Sequence, residues 1–219
     1  VAVGARQQLG ARFQLGRQLV QAGYPEEALA EFDAMEAMMA RLGGRVVGNG
    51  MSDLRLSRAV ALLRSDAGKE RSSHLRKEMA QSMEDGCGIY RTADTMQATC
   101  DKLAELKTRY RATVLDDRSR GWNTEWLLAI ELEYQLDVAQ TMAYSALHRR
   151  ESRGAHQRLD GFEQRDDVNF LKHSQAHYVV GGPPRIDYGP VKITKSQPGT
   201  RAYGAAGEKA EQERKASHV

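Results

Sequence analysis

The chain has 219 residues, and Lys+Arg 32 against Asp+Glu 29 leave a formal charge of +3 at pH 7, too small by itself to imply a polyanionic partner such as nucleic acid. Hydrophobic residues at 41% and charged residues at 28% lie in the ordinary globular range, which excludes disorder throughout, and no apolar run approaches the roughly 18–20 residues that span a bilayer. Two cysteines, Cys87 and Cys100, exclude both a disulfide framework and a four-thiolate metal site and point to a reducing, cytoplasmic setting.

Good helix formers run from Arg6 to Arg41 and are broken at Gly23-Tyr24-Pro25, which predicts two helices joined by a turn. Pro25 suits the first position of the second helix, Glu26 and Glu27 favour its positive end, and Ala28, Phe32, Met35 and Met39 recur at helical spacing. Leu15, Leu19, Ala22, Gly23, Tyr24, Ala28 and Phe32 resemble one tetratricopeptide-type hairpin. No second copy follows, so an ordinary helical hairpin is the simpler expectation. Gly43, Gly44, Gly48 and Gly50 then predict a linker; without a following Lys-Ser or Lys-Thr they make turn chemistry rather than a phosphate loop.

Ser52 is expected to cap a helix carrying Leu54, Leu56, Ala59, Leu62 and Leu63, and a further helix should run from Ser72 to Glu84 and stop at Gly86. Thr92 opens the next, whose Met96, Cys100, Leu103, Leu106 and Tyr110 share one face. Asn123 or Thr124 caps a third, for which Leu127, Ile130, Tyr134, Val138, Met142 and Ala146 are the expected stripe and Gly154 the stop. Three such helices bury their faces against one another as an antiparallel bundle. Beyond it, Val168 to Val180, the turn Gly181-Gly182-Pro183-Pro184 and Val191 to Thr194 predict a β-hairpin, which needs the bundle or a partner to lie on. The expected fold is therefore mainly α: a three-helix antiparallel bundle followed by a short β-hairpin and preceded by a helical hairpin. Its expected division is 1–50 (hairpin and linker), 51–154 (helical region, with the bundle at 72–153), 155–204 (extended segment with the β-hairpin) and 205–219 (disordered charged tail).

The densest polar stretch runs from His148 to Arg158 and continues through Arg165, Asp166, Asp167, Lys172 and His173. His156, Asp166, Asp167 and His173 offer imidazole and carboxylate for proton transfer, but their spacing defines no nucleophile or oxyanion site, so a salt-bridged seam needs fewer assumptions. His148 with His156, and His173 with His177, lack the further ligands a metal needs. Cys100 reads as core, whereas Cys87 between Gly86 and Gly88 reads as exposed and oxidisable. No catalytic, cofactor-binding or metal residue is expected.

The stretches Met83 to Thr92, Glu151 to Asp160 and Arg165 to His173 resemble the flavoprotein subunit of fumarate reductase and succinate dehydrogenase. Asn169-Phe170-Leu171-Lys172-His173, Val191 to Thr194 and Tyr203-Gly204 look more like the bacterial fumarate reductase, and the likeness covers about residues 75–204. The resemblance implies a C-terminal helical domain packed on a flavin domain and near an iron-sulfur subunit, in an enzyme that interconverts fumarate and succinate on FAD at the inner face of the cytoplasmic membrane. It also implies that this chain, without a Gly-x-Gly-x-x-Gly loop, binds no cofactor and is inactive alone. Glu151, Arg153, Gly154, His156, Arg158, Arg165, Asp166 and Asp167 are then the expected interdomain seam. The expectation from another class is a non-catalytic helical protein-interaction module built on the N-terminal hairpin.

Overall fold

The computed structural model describes residues 2–42 and 50–195. Helices α1 (Ala2–Ala22) and α2 (Pro25–Arg41) form the expected hairpin around Gly23, whose φ of +90° is the left-handed conformation that glycine tolerates. At Gly16 a Cβ would lie 2.4 Å from the Phe32 ring, so the two helices approach most closely where one has no side chain. Val20, Ala28, Phe32, Met35 and Met39 bury there together with Leu54 and Ala61 of α3 (Gly50–Leu62). Helix α3 begins two residues before the expected Ser52 cap, and Leu56, expected inside, is 54% exposed. The glycine linker lies outside the described residues except for Leu42 and Gly50.

Helices α4 (Ser72–Cys87), α5 (Ala93–Tyr110) and α6 (Thr124–His148) make the three-helix bundle around Leu75, Cys100, Leu103, Leu106, Leu132, Leu136, Ala139 and Ala143. Their starts are chemically specified. The Thr92 hydroxyl accepts the Thr95 N–H while the Thr95 hydroxyl accepts the Thr92 N–H, and Asn123 Oδ1 accepts the Trp126 N–H at 2.7 Å.

The third helix corrects the expected stripe. Leu127, Tyr134, Val138 and Met142 point outward and Ile130 is half-buried; of the expected stripe Ala146 alone is buried, together with Leu132, Leu136, Ala139 and Ala143, while Ala129 packs with Leu62, Leu63 and Leu115. Both faces of α6 are apolar, so periodicity alone permits either, and the alanine-rich face wins because small side chains let α4 and α5 approach. The helix also ends at His148, well before Gly154.

The N-terminal helices are tied to the bundle through α3. Arg55 pairs with Glu133 at 3.3 Å and with Asp137 of α6, Arg58 pairs with Asp33 and Glu36 of α2 at 2.9 Å each, and Trp126 Nε1–H donates to the Ala59 carbonyl at 2.8 Å. Arg111, at the end of α5, reaches the same Asp33 and Glu36 at 2.6 and 2.9 Å.

Four short strands follow no helical pattern. Strand β1 (Tyr90–Arg91) pairs in parallel with β2 (Gln157–Arg158), and β3 (Lys172–His177) pairs with β4 (Arg185–Pro190) as the antiparallel hairpin. The return strand is thus Arg185–Pro190 and not Val191 to Thr194, which is irregular. The expected β segment from Val168 opens instead with a single helical turn, α7 (Asp167–Phe170). In the connection, Val180 is buried in the N-terminal core beside Phe32 and Leu54. The chain divides into units Val1–Gly189 and Pro190–Val219. Of the second, residues 190–195 are described; Tyr203-Gly204 and the tail 205–219 lie outside the described residues.

Candidate functional site

After α6 the chain folds into a compact polar clip. Arg153 and His156 exchange backbone hydrogen bonds of 2.9 and 3.1 Å, and Gly154, at φ +61°, makes the reversal between them. The chain then runs beside β1, with the Gln157 N–H donating to the Ile89 carbonyl at 3.0 Å and the Leu159 N–H to the Arg91 carbonyl at 2.9 Å.

Glu151 is the centre of the clip and has no exposed surface. Arg153 forks onto it, Nε to Oε1 and Nη2 to Oε2 at 2.9 Å each; the Asp166 N–H donates to Oε2 at 2.9 Å, and Arg149 Nη1–H donates to Oε1. Burial alone would push this carboxyl up, but the bonds from Arg153, the Asp166 amide and Arg149 outweigh it and hold the group below the ordinary carboxylate range. Arg153 also donates to Asp167 Oδ1 at 2.6 Å, Arg165 pairs with the other Asp167 oxygen at 2.7 Å, and Asp166 caps α7 by accepting the Asn169 N–H at 2.9 Å.

Arg158, 2% exposed, performs a different task. Its Nη1–H groups reach the Leu147 and Arg149 carbonyls at 3.4 and 3.1 Å, where α6 ends and leaves acceptors unsatisfied. The same guanidinium forks onto Asp160 at 2.7 and 2.6 Å, and Asp160 Oδ2 accepts the Ala93 N–H at 2.6 Å at the start of α5. One ion pair therefore closes the negative end of α6 and the positive end of α5.

His156 accepts from Arg91 Nη1–H at Nδ1 (2.9 Å) and donates from Nε2 to the Arg149 carbonyl (3.0 Å), the tautomer that an arginine donor enforces. Burial lowers its pKa; the bond to the Arg149 carbonyl opposes this, and the charges of Arg91, Arg158 and Arg149 reinforce it. A group whose folded pKa is depressed contributes stability that is present above its unfolded value, about 6.5 for imidazole, and lost as pH falls. In urea unfolding, the stability advantage of wild type over His156→Gln should shrink between about pH 7.5 and about pH 5.5. An advantage independent of pH would contradict the neutral, arginine-facing imidazole.

The residues considered for acid–base chemistry have separate partners: His156 meets Arg91 and Arg149, Asp166 meets Asn169, Asp167 meets Arg153 and Arg165, and His173 is exposed on β3. His148 Nδ1 lies 2.8 Å from the Tyr144 carbonyl oxygen, and His177 Nε2 lies 3.7 Å from Asp187. Among the described residues no group of three or more His, Cys, Asp and Glu could hold a metal ion. Cys100 is buried and its thiol is pushed up to about 12 by burial; Cys87 is half-buried, not exposed, and burial pushes its thiol up as well. Strand β1 leads directly into α5, but Thr92 and Asp160 already occupy that helix N-terminus. These residues do not fit a flavin pyrophosphate.

The family model described as "Fumarate reductase flavoprotein C-term" matches residues 76–203, more than half of the chain and the stretch that holds the bundle and the clip. The chain belongs to the fumarate reductase flavoprotein C-terminal family. The fumarate reductase flavoprotein subunit of Haemophilus influenzae is 54% identical over 154 residues, which are 70% of this chain and 26% of that protein. That of Serratia sp. is 56% identical over 143 residues, 65% of this chain and 24% of that protein. Among solved structures, an Escherichia coli quinol fumarate reductase flavoprotein chain superposes with a TM-score of 0.63 at 44% identity, covering 80% of this chain and 30% of that one. The chain thus spans about a quarter of the length of the curated relatives it matches and corresponds to the C-terminal domain of the flavoprotein subunit. Among the described residues no helix is long and apolar enough to cross a membrane.

The stretch expected to be a seam folds into an ion-paired clip whose individual bonds the sequence did not indicate. The pairing of β1 with β2, the Arg158–Asp160 closure of two helix ends and the Arg55 hub went unforeseen. Only Asp160, two residues from Arg158 and therefore on the same side of an extended strand, carried a local signal.

Proposed function

We propose that this chain supplies the C-terminal domain to a flavin-bearing polypeptide of the fumarate reductase and succinate dehydrogenase type, and takes part in fumarate–succinate interconversion only within that assembly. The observation that carries this reading is the fully buried Glu151, which accepts from Arg149, Arg153 and the Asp166 amide within a stretch that belongs to the family match. A carboxylate so saturated is a structural anchor and not a proton carrier. Glu151, Arg153, Gly154, His156, Arg158, Arg165, Asp166 and Asp167 are the residues we assign to an interdomain seam. Exposed Ile89, Tyr90, Leu159 and Val168 lie on the same stretches of chain and supply apolar surface.

In this reading FAD is held by the other polypeptide and none by this chain; an iron-sulfur subunit exchanges electrons with that flavin, and the assembly sits at the cytoplasmic face of a membrane through its partner subunits. Residues 75–204 are the part that serves the flavin-bearing polypeptide, and the role of the hairpin in 1–50 is a separate question. The test is reconstitution: the full 219-residue chain co-expressed with the Haemophilus influenzae subunit lacking its matched C-terminal quarter. The complex should reduce fumarate from a reduced dye and the chain alone should not. Activity of the chain alone, or a complex that forms yet stays inactive, would contradict the reading.

A further inference from the structure

A polar cleft of about 310 Å³ opens where α2 and α3, helices α5 and α6, and the connection after β3 meet. Junctions of this kind are where small ligands are commonly held. The cleft wall carries the cations Arg55, Arg58, Lys107 and Arg111 but, as carboxylates, only Glu36 and Glu133; Asp33 and Asp137, which pair with the same cations, are not part of it. Positive charge is therefore in excess on the wall, and Arg55 and Arg58 are buried, which keeps water from screening it. Arg58 and Arg111 also compete for the same two atoms: Asp33 Oδ1 lies 2.9 and 2.6 Å from them, and Glu36 Oε2 lies 2.9 Å from each. Burial pushes the Glu133 carboxyl up against the pull of Arg58 and Arg55, which weakens the counter-charge further.

The wall also has donors to spare. Gln140, 4% exposed, accepts Lys107 Nζ–H on its Oε1 at 3.0 Å, which turns its amide NH2 away from Lys107, and among the described residues no protein oxygen accepts that NH2. Lys107 spends a second N–H on Asp137 Oδ1 at 2.7 Å and keeps a third. Arg55 Nη2–H donates to Asp137 and to Tyr178 Oη at 3.3 Å, whereas its buried Nε–H lies 3.3 Å from Glu133 Oε1 without hydrogen-bond geometry. Buried donors without acceptors are costly, and water can satisfy an amide but cannot neutralise excess charge. We infer that the cleft binds a small oxyanion of the phosphate class, with Gln140, Lys107 and Arg111 donating to it and Arg55 and Arg58 supplying charge behind them. Such an ion brings several acceptor oxygens and negative charge into one small volume, and its bonds from charged donors are among the strong ones.

The test is isothermal titration calorimetry of inorganic phosphate into the full chain, in chloride buffer of fixed ionic strength. Wild type should show one saturable site. Lys107→Met and Arg111→Gln should each weaken binding about tenfold, the loss of one charge-assisted hydrogen bond. Lys77→Met, which removes an exposed cation of α4 outside the cleft, should leave it unchanged. Gln140→Glu keeps the shape of the side chain and its contact with Lys107 but sets a like charge against the anion, so it should fold and weaken binding at least about tenfold even if a cation variant does not fold. Absence of saturable binding, or binding that survives Gln140→Glu, would overturn the assignment. So would an equal loss in Lys77→Met, the mark of an adventitious ion only.

Discussion

Glu151→Ala is expected to destabilise the protein by about 3–5 kcal/mol, the cost of removing one partner from a buried ionic cluster. The carboxylate has no exposed surface, and its removal strands Arg149, Arg153 and the Asp166 amide together. Arg153 retains Asp167, and Arg149 retains the Phe170 and Lys172 carbonyls at 2.9 and 2.7 Å, which keeps the loss from being larger. Glu151→Gln preserves shape but turns one acceptor into a donor facing arginine, so it should recover less than half of the loss. Urea unfolding followed by circular dichroism measures both. A loss below about 1 kcal/mol for the alanine variant would mean that the clip is open to water and that its arginines re-solvate freely.

Phe32→Ala should cost a similar amount, about 3–5 kcal/mol, for an unrelated reason. Its ring has no exposed surface and lies against Gly16 in the α1–α2 contact, with Phe13 6.3 Å away between ring centroids. Glycine has nothing with which to fill the cavity left behind, and the two helices must slide together or leave it empty. Since the bundle has its own core around Leu103 and Leu136, hydrogen exchange should show α1, α2 and α3 losing protection before α5 and α6 do. Uniform loss across all helices would show that the Arg55 and Arg58 ion pairs fuse the two cores into one cooperative unit.

Helix starts were legible where the signal is local chemistry: side-chain caps at Thr92 and Asn123, and at Pro25 a ring that suits the first helical position. The α5 stripe was legible too, since only one of its faces is apolar. Helix α6 was legible as a helix but not in its orientation: with apolar residues on more than one side, the choice of buried face is made by close packing of Ala139 and Ala143, which no single-helix periodicity contains. The return strand was displaced toward β-branched Val191 and Ile193, whereas pairing with Lys172–His177 is set by the length of the connection. In the clip, charge density signalled a seam, yet the closure of α6 and α5 by Arg158 and Asp160 joins residues 67 positions apart and has no local trace.

We propose that this chain works as the C-terminal domain of a flavoprotein whose flavin is held elsewhere. The most direct measurement is the visible absorption spectrum of the tagged full chain, purified alone and purified with the flavin-bearing remainder of the Haemophilus influenzae subunit. The chain alone should show no flavin absorbance, and the complex should show a flavin spectrum in proportion to the bound partner. Flavin on the isolated chain, or a partner that never co-purifies, would contradict it.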